Sequence, residues 1–294
     1  MRNCRATAGG AGMDGNTSMA GRIKDNALYV TLKEAKKALV RRLKLRQFLG
    51  NKFRCPVCGT RLNAFKPIWK SYLRKTAETG YVYPLSQVET FNYQAYSCPA
   101  CDCSDRERLY TLFFEKEFTS FDQHRRYRLV EFAPSIALQK QLRAYPFIEY
   151  RSADLFRQSV DDNVDITDMK PYADNSVDIF ICSHILEHVP DDRKAMRELF
   201  RKMKPGGFGI TMVPIIHGVD ETQEDLAINT PALRWKFYGL DDHLRQYGKA
   251  DFIRRLQAAG FQVEQLDIKY FGAAAFEHAS IAADSVLYVV RKPQ

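Results

Sequence analysis

The sequence predicts an α/β fold in which a mainly parallel sheet follows a small metal-binding region. Strand and helix patterns alternate from about residue 126 onward, which is typical of βαβ units. Two strand patterns, 261–268 and 285–292, close the chain without a helical pattern between them, and so predict an antiparallel pair at the end of the sheet. Upstream, two C-P-x-C pairs have the spacing of zinc knuckles.

Length and composition fit a globular protein. The chain has 294 residues, of which 45% are hydrophobic and 27% charged, and no run reaches the about 18 apolar residues that a membrane span needs. The start of the chain is rich in Gly, Ala, Ser and Asn and lacks the apolar segment of a secretory signal. We therefore expect a disordered tail over residues 1–25 and a cytoplasmic location.

The positive charge is concentrated near the N-terminus. Residues 1–75 hold 18 Lys and Arg against three Asp and Glu, a net charge of +15, so the other 219 residues carry −6 of the total of +9. The spacing of apolar residues predicts a basic amphipathic helix over 26–50. Such a helix could contact nucleic acid, anionic lipid or a phosphorylated substrate, or could pack on its own domain with a solvated basic face.

The cysteines indicate a structural zinc site. "CPVCG" (55–59) and "SCPACDC" (97–103) each form a turn that aims two thiolates at one point, and together they make a tetrahedral Cys₄ site. We predict Cys55, Cys58, Cys98 and Cys101 as ligands, with Cys103 competing for the fourth position. The 39 residues between the pairs must loop out, and residues 51–125 are expected to form a zinc-binding subdomain.

The remaining helices and strands are predicted from the spacing of apolar residues and from the residue types that begin or end these elements. Ser135 is a good N-cap for a helix over about 136–143, and Gly206-Gly207 are expected to end the helix that begins near Asp191. A polar segment, 215–248, is too long for an ordinary connection and is expected to form a lid. The predicted strands are 129–132, 147–154, 162–168, 176–184 and 208–214, followed by the two closing strands.

One segment carries a family resemblance. "DNSVDIFICSHILEHVPDDRKAMRELFRKMKPGGFGITMVP" (174–214) resembles the second half of class I S-adenosylmethionine-dependent methyltransferases, in particular the type-11 group. The resemblance covers roughly residues 126–292. It implies a Rossmann-like seven-stranded methyltransferase sheet whose last strand is antiparallel, occupying residues 126–294, with S-adenosylmethionine as cofactor.

The first motif of that family departs from its usual form here. "LVEFAPS" stands where the family has an acidic residue followed by alternating glycines, with Glu131 at the acidic position and Ala133 and Ser135 in place of two glycines. Similar Phe-Ala-Pro-Glu loops occur in a branch that also carries N-terminal C-P-x-C pairs and resembles sugar or natural-product methyltransferases. We expect Ala133 to take the place of a glycine in the cofactor loop with a negative φ, which the following Pro134 favours. Ser135 replaces the usual glutamate of that branch.

The resemblance also implies cofactor contacts. Asp154 matches the carboxylate that holds the ribose hydroxyls, and Asp165 with Ile166 matches the pair beside adenine. Ser183 and His184 match the lining of the methyl-transfer site. The implied cofactor residues are Glu131, Phe132, Ala133, Pro134, Ser135, Asp154, Asp165, Ile166, Ser183 and His184.

The expected acceptor is a small hydroxylated molecule such as a sugar or secondary metabolite. Its proton needs a base, and His243 is the first candidate, His217 the second and His184 the third. "DDHLRQYG" (241–248) resembles a stretch of the same branch, and Arg234, Arg245 and Tyr247 are expected to bind substrate. A divalent metal at Asp220/Glu221 or Asp241/Asp242 is an alternative that their spacing does not require.

Two other functions compete with this interpretation. A Cys₄ knuckle and a basic arm also suit an RNA methyltransferase, although "CSHILEH" differs from the Asn/Asp-Pro-Pro-Tyr motif of amine methylation and the arm lacks regular aromatic residues. A zinc-stabilised binding module without turnover is the second alternative. A nicotinamide-dependent dehydrogenase is disfavoured, because no glycine motif serves a pyrophosphate.

Overall fold

The computed structural model describes residues 43–294, and its strands form a two-stranded and a seven-stranded sheet. The strands are Leu49–Arg54 (β1), Arg61–Leu62 (β2), Tyr127–Phe132 (β3), Ile148–Asp154 (β4), Asp162–Asn163 (β5), Val177–Ser183 (β6), Met203–Met212 (β7), Gln262–Leu266 (β8) and Leu287–Arg291 (β9). The helices are Lys70–Thr79 (α1), Asp105–Glu117 (α2), Ile136–Leu142 (α3), Asp192–Lys202 (α4), Pro231–Tyr238 (α5), Lys249–Ala258 (α6), Ile268–Phe271 (α7) and Ala273–Ala279 (α8).

The large sheet has the strand order β5-β4-β3-β6-β7-β9-β8. β3 pairs in parallel with β4 on one side and with β6 on the other, and β6 pairs in parallel with β7. β9, the last strand, runs antiparallel between β7 and β8. The predicted fold class is confirmed, including the antiparallel last strand.

The predicted end of α4 is wrong. The helix ends at Lys202, and Met203 through Gly207 already belong to β7. Met203 pairs with Val177 of β6, and the Gly206 N–H donates to the Lys292 carbonyl at 2.9 Å. Sheet pairing on both sides therefore takes residues that the two glycines had suggested for a helix stop.

The connection between the two closing strands also differs from the prediction. β8 and β9 pair antiparallel as expected, but α7 and α8 lie between them in the chain. Asp267 caps α7 by accepting from the Lys269 N–H, and Phe276 of α8 is buried in the core. The segment 267–284 is thus a helical connection that packs on the sheet rather than a hairpin loop.

Arg108 joins the cysteine-bearing segment to the end of the chain. Its side chain is fully buried on α2, and its guanidinium donates to the carbonyls of Ala95 at 2.7 Å and Tyr96 at 3.1 Å. The same group donates to the carbonyls of Ala279 at 2.7 Å and Ser280 at 3.1 Å. Because a guanidinium has five donors in a fixed planar fork, one side chain can satisfy carbonyls from both segments.

The N-terminal predictions lie largely outside the described residues. The tail over 1–25 and most of the basic helix over 26–50 belong to the part that the structure does not describe, and residues 49 and 50 form the start of β1. Within residues 43–294, none of the helices has both the length and the apolar composition required to cross a membrane.

Candidate functional site

The carboxyl ends of three neighbouring strands bring the predicted cofactor residues to one edge of the sheet. Phe132, the last residue of β3, is in register with Ala153 of β4 and with Cys182 of β6. Asp154 and Ser183 end their strands one residue later. In open parallel sheets, this edge forms the ligand crevice.

The turn after β3 keeps a glycine-like backbone without a glycine. Ala133 has φ = +50°, so the expectation of a negative φ is wrong. Its N–H extends the β3–β4 pairing by donating to the Ala153 carbonyl at 2.8 Å, and the next carbonyl, that of Pro134, accepts from Arg157 at 2.8 Å. These bonds hold alanine in a left-handed conformation that costs about 1–2 kcal/mol.

Glu131, on β3, is hydrogen-bonded to the turn that follows this strand. Its buried carboxylate accepts from the Ser135 N–H at 3.1 Å and from the Tyr150 hydroxyl at 2.6 Å. Burial raises the pKa of Glu131 to about 7, against the hydrogen bonds from Tyr150 and Ser135, which lower it. The carboxyl group is therefore poised to titrate near neutral pH, and a positively charged ligand beside it would favour its ionised form.

Asp154 and Asp165 form separate turns at the same edge. Asp154 Oδ1 accepts from the N–H groups of Phe156 and Arg157, each at 2.8 Å, so this oxygen is held in a fixed position. Asp165 Oδ1 accepts from the Thr167 N–H and hydroxyl, each at 2.8 Å. Asp165 is exposed and Ile166 is buried in the core.

The loop after β6 carries a second strained residue. His184 has φ = +54°, and its N–H donates to the Met212 carbonyl at 2.8 Å. Burial, followed by the charge of Arg106, lowers the pKa of His184 to about 4, so its ring is neutral at neutral pH. Non-glycine residues with positive φ often lie at functional sites, where neighbouring contacts hold the strain.

Helix α2 contributes residues to this edge that the sequence analysis did not identify. The Glu107 carboxylate accepts from the Ser135 hydroxyl in the turn after β3, and the Tyr110 hydroxyl lies 2.7 Å from the hydroxyl of Ser183, the last residue of β6. Ser104 and Glu107 form a capping box at the start of α2. The Ser-x-x-Glu spacing before an apolar run is readable from sequence, and it would have located this helix.

The insertion 215–248 is packed onto the same end of the protein. His243 is 4% exposed, and its Nδ1 lies 2.7 Å from the Tyr238 carbonyl, which makes Nδ1 the protonated nitrogen and leaves Nε2 with a free lone pair. Burial lowers the pKa of His243. The Leu244 N–H donates to the Glu187 carbonyl at 2.8 Å, which joins the insertion to the loop after β6.

Two residues expected to bind substrate instead bind the protein. The buried Arg245 guanidinium donates to the carbonyls of Leu186, Val189 and Pro190 and pairs with Glu224 at 2.7 Å. The buried Tyr247 hydroxyl donates to Asp192 at 2.5 Å. Their donors hold the insertion in place, so we do not retain them as substrate ligands.

The other expected residues of the insertion have mixed placements. Arg234 is half-buried on α5, and its Nε has no hydrogen-bond partner among residues 43–294. His217 Nε2 lies 2.9 Å from Asp284 and its Nδ1 lies 3.8 Å from Glu89, so both ring nitrogens face carboxylates. Of the alternative metal ligands, Glu221 pairs with Arg254 at 2.6 Å and Asp242 lies 3.3 Å from His188.

A cluster of five thiols lies upstream of α2. The sulfur of Cys55 is 3.5 Å from that of Cys103 and 3.9 Å from that of Cys101, and the sulfurs of Cys58 and Cys98 are 3.9 Å apart. Four sulfurs bound to one tetrahedral zinc at about 2.3 Å lie about 3.8 Å from one another. The spacing of the thiols therefore fits a zinc site.

The two C-P-x-C turns repeat the same backbone geometry. The Gly59 N–H donates to the Cys55 carbonyl at 2.8 Å, and the Asp102 N–H donates to the Cys98 carbonyl at 2.9 Å. Gly59 and Asp102 both have positive φ. Cys58 therefore has the same position in the first turn as Cys101 has in the second.

The fifth thiol, that of Cys103, occupies the position that Thr60 has in the first turn. The Cys98 N–H donates to the Cys103 carbonyl at 2.9 Å, as the Cys55 N–H donates to the Thr60 carbonyl at 3.0 Å. Cys55, Cys98, Cys101 and Cys103 also form a compact set, with all sulfurs within 4.8 Å of one another. The structure thus offers two sets of four that share three thiols.

Comparison with known proteins agrees with the fold. Residues 133–211 match the family model of a methyltransferase domain, and no curated protein matches the chain by sequence.

The chain is similar to several solved structures, of which three are described here. The [4+2]-cyclase SpnF is 17% identical, with coverage of 78% of this chain and 97% of that chain and a TM-score of 0.43. A SAM-dependent methyltransferase from Archaeoglobus fulgidus is 14% identical, with coverage of 63% and 92% and a TM-score of 0.39. Haemonchus contortus phosphoethanolamine N-methyltransferase 2, in complex with S-adenosyl-L-methionine, is 14% identical, with coverage of 62% and 52% and a TM-score of 0.40.

The match covers the turn after β3, the loop after β6 and most of β7, which are the segments that build the crevice edge. Residues 133–211 therefore match a methyltransferase domain of the type-11 group, and the seven-stranded sheet with its antiparallel last strand has the α/β methyltransferase fold.

Proposed function

We propose that the protein transfers a methyl group from S-adenosylmethionine to a hydroxyl oxygen of a small molecule such as a sugar or secondary metabolite. The observation that carries the proposal is the shared edge of the sheet. There the carboxylates of Glu131 and Asp154 lie beside a loop that presents a neutral histidine, His184. Carboxylates suit the positively charged donor, and neutral imidazoles suit an acceptor that loses a proton.

Each end of the cofactor has a candidate partner. In the proposal, Asp154 accepts from the ribose hydroxyls, while its Oδ1 stays anchored by two backbone N–H groups. Glu131 lies under the turn that would pass along the methionine portion, and its negative charge would attract the ammonium and sulfonium groups. Asp165 and Ile166 flank the adenine, and Ser183 and His184 line the methyl-transfer position.

The pKa of Glu131 gives a pH-dependent test of this placement. The ligand-free carboxyl has a pKa of about 7, and the positive cofactor lowers that value by favouring the charged form. Binding therefore releases a proton, and affinity should rise as the pH increases toward about 7 and level off above it. Calorimetric titration of S-adenosylmethionine from pH 5.5 to 8.5 measures this dependence.

Glu131→Gln is the matched control, because it keeps the hydrogen-bonding shape without the titrating charge. The affinity of this variant for S-adenosylmethionine should be lower than that of the wild type at pH 8. The part of the rise in affinity with pH that comes from ionisation of Glu131 should be missing. The cofactor's own amino group titrates equally with both proteins, so the difference between their curves isolates Glu131. Identical curves would place the positive groups of the cofactor elsewhere.

The acceptor side of the proposal rests on His243. Its Nδ1 is committed to the Tyr238 carbonyl, so Nε2 can take a proton as the O–C bond forms. Methyl transfer breaks the S–CH₃ bond and leaves its electron pair on sulfur, while the acceptor oxygen gains the methyl group and loses its proton. His217 is less suited, because both of its ring nitrogens face carboxylates.

His243→Ala should lower the turnover number by roughly 10²–10⁴-fold, the usual contribution of general acid–base catalysis. His217→Ala is the control and should keep near-normal turnover. Both are assayed with radiolabelled S-adenosylmethionine against hydroxylated acceptors and the matching deoxy compounds. Near-normal turnover in His243→Ala, or equal methylation of the deoxy compounds, would contradict the proposed acceptor chemistry.

We also propose that Cys55, Cys58, Cys98 and Cys101 bind one structural zinc ion. The support is the equivalence of the two knuckle turns, in which Cys58 and Cys101 hold matching positions. Cys103 directly precedes Ser104, the N-cap of α2, so an ordered knuckle would fix the start of the helix that carries Glu107 and Tyr110. Clustered thiols of this kind stay reduced in the cytoplasm, which is the location we propose.

Serine variants distinguish the two sets of four thiols. Cys58→Ser should lose most of the bound zinc and lower the unfolding temperature, whereas Cys103→Ser should retain about one zinc per chain. Elemental analysis of the purified proteins gives the zinc content, and calorimetry gives the unfolding temperature. The reverse result would assign the fourth ligand position to Cys103. Full zinc occupancy in Cys98→Ser would contradict the assignment of zinc to these cysteines.

A further inference from the structure

The loop after β6 buries a carboxylate that the protein does not satisfy. Glu187 is 0% exposed, and neither of its oxygens has a hydrogen-bond partner among residues 43–294. His184 Nδ1 lies 3.2 Å from Oε1, but without the geometry of a hydrogen bond. No lysine or arginine in the described part of the chain forms an ion pair with Glu187. A buried carboxylate without such partners is costly unless another group neutralises it.

Two histidines lie within reach of the same point. One ligand atom from each of Glu187, His188 and His243 fits within 4.8 Å of the others. The two imidazole rings are 4.7 Å apart between their centroids and are nearly perpendicular at 81°, so their lone pairs need not repel along one line. Glu187 and His188 belong to the short 3₁₀ turn after β6, and His243 comes from the insertion.

Neighbouring groups orient both rings. His243 Nδ1 donates to the Tyr238 carbonyl at 2.7 Å, and His188 Nδ1 lies 3.3 Å from the Asp242 carboxylate. Metal-binding histidines commonly donate one ring N–H to a carbonyl or carboxylate in this way, which directs the other nitrogen at the ion. The two loops are fixed to each other by the Leu244 N–H, which donates to the Glu187 carbonyl, and by Arg245, which donates to the Leu186 carbonyl.

We propose that Glu187, His188 and His243 bind a divalent metal ion that holds the hydroxyl acceptor for methylation. One carboxylate and two imidazoles form a mixed O/N set that suits Mn²⁺, Fe²⁺ or Zn²⁺ and leaves coordination positions open. The inference rests on the proposed function in one respect, because the open positions are assigned to the acceptor. More than one open position would suit an acceptor with two neighbouring hydroxyl groups.

The ion would change how the acceptor loses its proton. An oxygen bound to a divalent cation has a lowered pKa, so the hydroxyl can release its proton to water before the methyl group arrives. The ionised acceptor oxygen would then take the methyl group from the sulfonium, and the electron pair of the broken S–CH₃ bond would stay on sulfur. With the ion bound, Nε2 of His243 would be a ligand, so the metal role replaces the general-base role proposed above for His243, and the loss of turnover expected for His243→Ala stays the same. His184 stays beside the reacting oxygen.

Binding of Mn²⁺ tests the site without relying on turnover. Manganese prefers oxygen and nitrogen ligands to thiolates, so the zinc-loaded full-length protein should bind Mn²⁺ at this site and not at the cysteines. We expect the wild type to bind one Mn²⁺ per chain by electron paramagnetic resonance titration. Glu187→Gln and His188→Gln should each weaken that binding at least about 10–100-fold, with zinc content and S-adenosylmethionine binding unchanged.

Glu221→Gln is the matched control. It removes an exposed acid from the alternative pair in the same insertion and should bind Mn²⁺ like the wild type. If Glu187→Gln unfolds, the half-exposed His188→Gln still provides the test. A wild type that binds no Mn²⁺, or variants at Glu187 and His188 that bind it normally, would overturn the proposal.

The outcomes for the ion and for the proposed function can be separated. Full methylation of a hydroxyl acceptor in the presence of a chelator would exclude the ion and keep the proposed function. The wild type could instead bind one Mn²⁺ that Glu187→Gln does not bind, and yet methylate only nitrogen or carbon acceptors. That result would support the metal site and exclude the hydroxyl acceptor.

Discussion

The parallel pairing of β3 with β4 and β6, and of β4 with β5, places the proposed cofactor contacts at one edge of the sheet. This register brings the Ala133 turn, Asp154 and the His184 loop beside one another, although they are separated by up to about fifty residues in the chain. Two of the three segments contain a non-glycine residue with positive φ, and cross-strand hydrogen bonds hold both. The sheet thus supplies the rigidity that these strained loops require.

The region before the sheet contributes to the same edge through α2. The knuckle turns lead into the Ser104 cap, Arg108 ties the helix to the carbonyls of two distant segments, and Glu107 and Tyr110 then reach the loops after β3 and β6. A structural metal in this position would therefore affect cofactor binding indirectly. Its removal would loosen a helix whose side chains contact both loops.

The sequence was informative where local pattern and sheet pairing agree. The bounds of β3, β4 and β6 were predicted to within two residues, because their buried, β-branched and aromatic residues are bounded by turn signals. In contrast, β5 ends about five residues earlier than predicted, and β7 begins about five residues earlier. Ser135 was correctly predicted as a cap because its hydroxyl accepts from the Leu138 N–H at 3.1 Å, a contact within the local turn. The fold class followed from these local signals and their order.

The wrong predictions occur where contacts between distant parts of the chain determine the local structure. The sequence suggested a helix stop at Gly206 and Gly207. They belong to β7 because Met203 and Phe208 on either side of them pair with β6, and both glycines exchange hydrogen bonds with Lys292, which follows β9. Ala133 has positive φ because Arg157 and the β4 backbone hold its turn, which no local propensity reports. Arg245 and Tyr247 looked like substrate ligands, yet each donates to a group more than fifty residues away in the chain. Polar residues in a long insertion bind the protein as readily as a ligand.

Calorimetric titration of S-adenosylmethionine into Asp154→Ala most directly tests whether this edge is the cofactor site. Loss of two hydrogen bonds to the ribose should weaken binding by about 2–3 kcal/mol, or roughly 30- to 150-fold. Glu149→Ala, which removes an exposed acid near the opposite end of β4, should bind like the wild type. An unchanged affinity in Asp154→Ala would place the ribose elsewhere and contradict the account.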